Sequence, residues 1–442
     1  MFDPMDAPSG KETNRRSFLK ATTLSAAAGI GMAQANRAFA DTEKLAINGG
    51  KAAIPKPDTD AWRWPRYTEA DEEAVVKMLR APDYSAIPAL EAEWCEHVGV
   101  PYARNYCNGT SALLSLFFAL NLPPGSEIMV PSYTFFATIV PMRLFGLVPV
   151  FVDINPRTLN FDLEDAKKRL TPNTKAVMPV HWIGLPCDMD AISDWAQEKG
   201  LILLEDAAHA QYAKLKGVHA GAWGEMAIFS YQMSKPLPGI EGGMGVYKTK
   251  EYRDRATLLG HYDAPGVDDD SPYKQYTGTG LGTKTRMHPV AAELIRVQMK
   301  DLKERTIKGV AQTRKLNDVL LQLPGLYEQS SGRDDVQRLY YEWNMLFIDE
   351  QEAGVSREKV VAALRAEGVR ADALSYRLQH HQPLYKQAEW WHHLPVIPDL
   401  PGSEQANATS IALPYFTKEC PEMVEGYIRA FEKVWAHRDE LA

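Results

Sequence analysis

The sequence predicts an α/β protein: a large domain on a mainly parallel sheet, then a smaller C-terminal α+β domain. Two observations carry that reading. Between about residues 125 and 250, short apolar runs alternate with stretches of helical period. Fully apolar strands separated by helices belong to a parallel sheet covered on both faces. Beyond a long helical stretch over 289–321 the rhythm changes to single strands and helices.

Taken in order, residues 41–67 read as an extended arm, with Pro55, Pro57 and Pro65 interleaved with Trp62, Trp64 and Tyr67. Amphipathic helices are expected over 69–79 and 89–97. A strongly apolar helix over 110–120 follows Asn108-Gly109. Strands are expected over 128–130, 148–152, 176–180, 201–204, 227–230 and 245–247, with helices over 138–145, 163–170 and 189–199 between them. Sheets of this kind place ligands at the carboxyl ends of their strands. The last part holds a strand over 343–348 and helices over 356–367 and 422–436. The expected division is a signal at 1–40, the arm at 41–67, a large domain at 68–305 and a small domain at 306–442.

Composition excludes several classes. With 45% hydrophobic and 24% charged residues among 442, the chain is not dominated by disorder. A net charge of -8 argues against a nucleic-acid partner, whose affinity rests on clustered Lys and Arg. Cys95, Cys107, Cys187 and Cys420 form no CxxC, so neither a zinc knuckle nor a disulfide framework is supported.

The first 40 residues carry an address. Asn14-Arg15-Arg16-Ser17-Phe18-Leu19-Lys20 is a twin-arginine pattern, a small-residue apolar run follows, and Ala38-Phe39-Ala40 matches a cleavage site. The run is too short and too rich in Ala and Gly for a stable membrane span. The expectation is therefore a periplasmic or otherwise extracytoplasmic protein, exported folded by the twin-arginine machinery.

Three stretches carry chemistry. In Leu204-Glu205-Asp206-Ala207-Ala208-His209 an apolar strand ends in an acidic pair; a strand-end carboxylate capping the next helix is the plainer reading. In Ser230-Tyr231-Gln232-Met233-Ser234-Lys235 a lysine lies beyond a strand end, before a Pro/Gly-rich turn. Most lysines are solvated, but a desolvated one has a lowered pKa and attacks carbonyls. In Asn108-Gly109-Thr110-Ser111 a helix opens with free N–H groups, which suits an anion or merely an N-cap.

In order and spacing these stretches resemble the pyridoxal-phosphate-dependent sugar and aminocyclitol aminotransferases of DegT/StrS type, which have fold type I. The family's E-D-A-A-[HQ] stands at Glu205 to His209, its S-x-x-x-x-K at Ser230 to Lys235, and its E-G-G at Glu241-Gly242-Gly243. Its P-S-[FYL]-T-[FW] stands at Pro131-Ser132-Tyr133-Thr134-Phe135. The resemblance covers the chain from about residue 45 onward and implies each role. Lys235 forms the Schiff base with pyridoxal 5'-phosphate and then moves the proton. Asp206 pairs with the pyridine nitrogen. His209 touches the ring's hydroxyl oxygen or packs nearby, and Phe135 lies on a ring face unless it is a core aromatic. Gly109, Thr110, Ser111 and Ser230 hold the phosphate. His181, Gln232 and Arg286 are the candidate substrate contacts, with Gln232 standing where many relatives carry His.

Two departures refine the picture. Many nucleotide-sugar relatives carry G-x-N-x-R-M, whose Asn reaches the cofactor phosphate of the other subunit; here Lys284 replaces it, in Lys284-Thr285-Arg286-Met287-His288-Pro289, and is expected to serve that phosphate as a point charge. That form, like the opening Leu45-Ala46-Ile47-Asn48-Gly49-Gly50, looks like the branch acting on keto-inositols. The second departure is Tyr84-Ser85-Ala86-Ile87, where relatives often have S-G-G. The resemblance thus implies a homodimeric transaminase acting on a keto-cyclitol or ketosugar with an amino-acid donor, by a ping-pong route. Two other readings are a sugar dehydratase of the same fold, in which His typically replaces the lysine, and an exported binding or sensory protein without turnover.

Overall fold

A computed structural model describes residues 43–441. The twin-arginine segment and its cleavage site lie outside the described residues. Seven strands form the main sheet: β1 (Tyr102–Tyr106), β2 (Glu127–Pro131), β3 (Val148–Val152), β4 (Thr174–Val177), β5 (Ile202–Asp206), β6 (Met226–Ser230) and β7 (Gly243–Tyr247). Their order is β1-β7-β6-β5-β4-β2-β3. Only β7 runs against its neighbours. The carboxyl ends of β1, β5 and β6 therefore share one edge, and all three chemical stretches start there.

Both faces of the sheet are covered. Residues of β2, β6 and β7 are buried at every position, which is why they read as unbroken apolar runs. Ile228 of β6 packs with the Gly109–Leu120 helix on one face. Its neighbours Ala227 and Phe229 pack on the other, with the Ala86–Val98 and Pro289–Leu320 helices. Phe229 is fully buried, edge-on to Trp94 at 4.9 Å. Burying such a ring stabilises by roughly 1.5–3 kcal/mol.

Three elements differ from expectation. β1 was not expected, because Arg104 and Asn105 interrupt its pattern. Glu91 accepts from both side chains, which lets them go inside. The strand Ser410–Pro414 was also unexpected; it pairs with Trp343–Ile348, the centre of a three-stranded antiparallel sheet. The helix expected over 138–145 is instead two 3-10 turns, Phe136–Thr138 and Val140–Phe145. Pro141 removes a donor there, and Gly146 ends the second turn at φ 68°.

The 32-residue helix Pro289–Leu320 packs on the Glu69–Arg80 and Ala86–Val98 helices near its start and on Pro421–Ala436 further along. The boundary expected at 305/306 falls inside it. Leu45, Ile54 and Ala61 of the arm join the C-terminal core. Buried Glu367 fixes the arm by accepting from the N–H groups of Ala46 and Ala53, both at 2.8 Å, and from Lys433 Nζ at 3.0 Å. Among the described residues no helix is long and apolar enough to cross a membrane.

Candidate active site

A cavity of about 690 Å³ opens at the carboxyl edge of the sheet, and Asp206 and Lys235 both line it. Asp206 ends β5. Its Oδ2 accepts from Thr138 Oγ1 at 2.8 Å and its Oδ1 from the Ala208 N–H at 3.0 Å. Burial raises its pKa, opposed by these two bonds and by the charge of Lys235. Such a carboxylate favours a positive charge on its open side.

The neighbouring Glu205 faces away from the cavity. Its carboxylate accepts from His181 Nε2 at 3.0 Å and from the N–H groups of Gly221, Trp223 and Gly224 at 2.7–2.8 Å. Burial would raise its pKa, but these bonds hold it below the ordinary value. Glu205 would also favour a charged His181, yet His181 Nδ1 accepts the Cys187 N–H at 3.1 Å. That leaves the ring's single proton on Nε2.

Burial lowers the Lys235 pKa to about 8, against the opposing charges of Asp206 and Glu342. Its Nζ donates to Tyr341 Oη at 3.2 Å and lies over that ring. Three contacts clamp the backbone around it. Lys235 N–H donates to Gln232 O at 2.8 Å, Trp64 Nε1 donates to Lys235 O at 3.1 Å, and Arg305 Nη2 donates to Pro236 O at 2.8 Å. The amine is thus desolvated, nearer to deprotonation at neutral pH than an exposed lysine, and held on a fixed segment.

The start of the Gly109–Leu120 helix borders the same cavity, and free amides there suit an anion. Gly109 opens the Gly109–Leu120 helix, and Asn108 Oδ1 accepts from the Ser111 N–H at 2.8 Å. The first amides of a helix have no partner within it. A Cβ on Gly109 would lie 3.0 Å from Ser230 Cβ, so glycine keeps this corner open. A Cβ on Gly243 would meet Asn108 O at 2.3 Å, so the second glycine of the E-G-G stretch lets β7 pass directly beneath the loop.

Phe135, His209, Ser230 and Gln232 also line the cavity. Phe135 is 54% exposed, which rules out a core role. His209 stacks on Tyr341 at 4.3 Å, and burial keeps it neutral. Gln232 Oε1 accepts from Ser234 N–H and Oγ. Other expected residues lie elsewhere. Ser111 Oγ contacts Cys107 Sγ behind the cradle. His181 is fully buried beneath Glu205, away from the cavity, because its hydrogen bonds all go inward. Lys284 lies near the Tyr262 ring, and Arg286 stands over Tyr84 and beside Asp263, on a separate cleft of about 220 Å³. Conversely, Thr138, Tyr341 and Glu342 were missed. Thr138 lies just past the Pro131-to-Phe135 motif, which was a usable signal; Tyr341 and Glu342 have none.

A second chamber, of about 430 Å³, adjoins the first and shares Gln232, Ser234, Tyr341 and Glu342 with it. Its remaining wall includes Trp62, Trp64, Arg305, Arg370 and Tyr415.

The fold and this pairing of buried acid, desolvated lysine and anion cradle define a pyridoxal-phosphate-dependent transferase of fold type I. Residues 66–432 match the model of the DegT/DnrJ/EryC1/StrS aminotransferase family, and the chain belongs to it. It is 29% identical over 412 residues to a Streptoalloteichus tenebrarius protein assigned as an L-glutamine:3-amino-2,3-dideoxy-scyllo-inosose aminotransferase, covering 90% of this chain and 94% of that protein. Among solved structures, an aminotransferase from Psychrobacter cryohalolentis is 25% identical with a TM-score of 0.77, covering 85% of this chain and 98% of the other. DesI, solved in the presence of its TDP-sugar product, is 28% identical with a TM-score of 0.74, covering 90% and 97%. The protein is an aminotransferase that uses pyridoxal phosphate, and the donor set described above fits that cofactor.

Proposed function

We propose that this aminotransferase aminates a small polyhydroxylated ring ketone, a keto-cyclitol or ketosugar, with an amino acid as donor. The observation that carries the reading is the aromatic-walled chamber beside Lys235. Trp62 and Trp64 offer faces to a ring, while Tyr341, Ser234 and Gln232 offer hydroxyl and amide groups. The Lys284-x-Arg286-x-His288-Pro289 form and the scyllo-inosose relative support the same class.

When bound, pyridoxal phosphate supplies an aldehyde for the amine and a protonated ring that withdraws electrons from the substrate carbon. Asp206, braced by Thr138 and the Ala208 N–H, would pair with the ring nitrogen and keep it protonated. Gly109, Thr110 and Ser230 would hold the phosphate, with Ser111 shaping the turn. Lys235 Nζ takes the proton from the substrate carbon that bears nitrogen, and Tyr341 Oη orients that amine.

The proposal extends to assembly and location. In a homodimer, Lys284 and Arg286 serve the partner's cavity; that neither lines this chain's own cavity supports the reading. Mixing inactive Lys235→Ala and Lys284→Ala subunits should restore one working site per heterodimer. Export by the twin-arginine route predicts that changing Arg15 and Arg16 to Lys retains the precursor in the cytoplasm. The arm is expected to end near residue 67, and the large and small domains share the Pro289–Leu320 helix; limited proteolysis near residue 67 tests the first boundary. Steady-state assays with scyllo-inosose, simple ketosugars and a 4-keto nucleotide sugar test the acceptor. A kcat/KM preference for the nucleotide sugar overturns the acceptor class and leaves the cofactor chemistry intact.

A further inference from the structure

We propose that His380, His381 and Glu404 form a binding site for a divalent transition-metal ion of the zinc class, outside both cavities. The three residues each offer one ligand atom, and those atoms lie within 4.8 Å of one another. His381 Nε2 stands 3.3 Å from Glu404 Oε1. Two ligands bonded at about 2.0–2.1 Å to one tetrahedral zinc are themselves roughly 3.3 Å apart. Two imidazoles and one carboxylate suit zinc, copper or nickel, whereas magnesium and calcium take oxygen ligands.

The buried member of the set is held in place before any ion arrives. His380 is 2% exposed. Its Nδ1 meets Ser132 Oγ at 2.6 Å, and its backbone N–H donates to the same oxygen at 3.1 Å. The Gln379 N–H donates to Ser132 O at 3.1 Å, and Gln379 Nε2 donates to Thr134 O at 3.0 Å. These bonds fix both the Gln379–His381 turn and the imidazole. His380 Nε2 has no hydrogen-bond partner among the described residues. In the tautomer whose Nδ1 donates to Ser132 Oγ, Nε2 carries the lone pair that a metal needs. A ligand ring oriented through its other nitrogen is the usual arrangement around a bound metal.

The segment that carries Glu404 is anchored in a matching way. Glu404 lies in the first turn of the Pro401–Thr409 helix. The Gly402 and Ser403 N–H groups donate to the Asp153 carboxylate at 2.6 and 2.8 Å, and Ser403 Oγ donates to it at 2.7 Å. Ser132 follows β2 and Asp153 follows β3, two paired parallel strands, so both ligand-bearing segments hang from adjacent strand ends. His381 and Glu404 have side chains 55% and 52% exposed, free to close on an ion and to leave room for water as a fourth ligand. A metal there ties the Gln379–His381 turn to the Pro401–Thr409 helix. Through Ser132 and Thr134 it also braces the loop that carries Phe135 into the cofactor cavity.

The test uses tag-free holoenzyme dialysed against a chelator and titrated with Zn²⁺ alone by calorimetry. One site per chain is expected, with a Kd of about 1 µM or tighter. His381→Ala and Glu404→Gln alter exposed side chains and keep the fold; each should weaken Zn²⁺ binding about tenfold or more. Mg²⁺ should give no binding at this site. Zn²⁺ should raise the Tm of the native protein and leave that of the double variant unchanged. Electron paramagnetic resonance with one equivalent of Cu²⁺ should show nitrogen coupling from two imidazoles, and from one in His381→Ala. A native Kd weaker than about 100 µM overturns the assignment and leaves His381 and Glu404 as a surface ion pair. Equal binding by native protein and both variants also overturns it, because the ion then sits elsewhere. No readout uses turnover, so a wrong ketone class leaves the test untouched.

Discussion

The cofactor cavity and the chamber beside it share a wall, yet they are assembled differently. Asp206 ends β5, Lys235 lies just beyond β6, and Gly109 opens the helix after β1, so the cavity's acid, base and cradle all hang from one sheet edge. The chamber draws Trp62 from the arm, Arg305 from the long helix, Arg370 from the turn after Arg357–Ala366, and Tyr415 from the end of the last strand. The sheet's hydrogen-bond ladders set where the first group meets, with Trp64 and Arg305 bracing the lysine's segment. Packing between the two ends of the chain sets where the second group meets. The chemistry should therefore tolerate changes in the arm better than recognition does, and single substitutions can separate the two.

The largest effect belongs to Lys235. Lys235→Ala should reduce turnover by about 10⁴-fold or more, since both the carbonyl-attacking amine and the proton carrier are lost. Borohydride reduction of the holoenzyme and peptide mapping should place the pyridoxyl group on Lys235. A label on Lys214 or Lys216 would contradict the geometry.

The acidic pair sharpens the comparison on one strand. Asp206→Asn should keep the fold and lower the donor half-reaction by roughly 10²-fold, because the ring nitrogen loses its charged partner. Glu205→Gln should do the reverse. It leaves three backbone N–H groups and His181 competing for an amide oxygen, at a cost of about 3 kcal/mol in unfolding free energy. Glu205 has a folded pKa below its ordinary value of about 4.3. Its contribution to stability is present above that ordinary value and lost as pH falls through the folded pKa. Acid unfolding curves should therefore be shallower for Glu205→Gln than for the native protein. Equal curves would mean that the carboxylate is not ionised in the fold.

Capture of cofactor reads the lysine directly. Neutral amine is the reactive form, so the cofactor-free protein should take up pyridoxal phosphate faster as pH rises, with a midpoint at about 8. A midpoint near the ordinary lysine value of about 10.4 would show that burial does not tune it.

The smallest effect tests whether the arm reaches the chemistry. Trp64→Phe keeps an aromatic face for Arg305 and removes the N–H bonded to Lys235 O. A net loss of about 1 kcal/mol corresponds to roughly a fivefold fall in kcat. A change in acceptor KM alone would instead confine Trp64 to the chamber.

Much of the cofactor cavity was legible because its residues fall at fixed offsets from strand ends. Apolar runs announce the strands, and the strands aim Asp206 and Lys235. His181 entered as a candidate substrate contact through the family resemblance alone. In the structure its ring is claimed by Glu205 and Cys187. β1 escaped detection because Glu91 satisfies Arg104 and Asn105 from another element, so polar residues could be buried. The helix expected over 138–145 tightened into 3-10 turns at Pro141, a local signal that outweighed the apolar pattern.

What the sequence by itself determined was the sheet, its chemical edge and the family, since each rests on local spacing and backbone preference. Only the tertiary structure decided that Tyr341 meets Lys235, that Trp64 and Arg305 clamp the lysine's segment, and that Arg370 lies between Trp62 and Trp343. Those contacts join residues far apart in the chain. They form because burying the arm against the C-terminal core removes apolar surface from water, and no pattern within either segment specifies its partner.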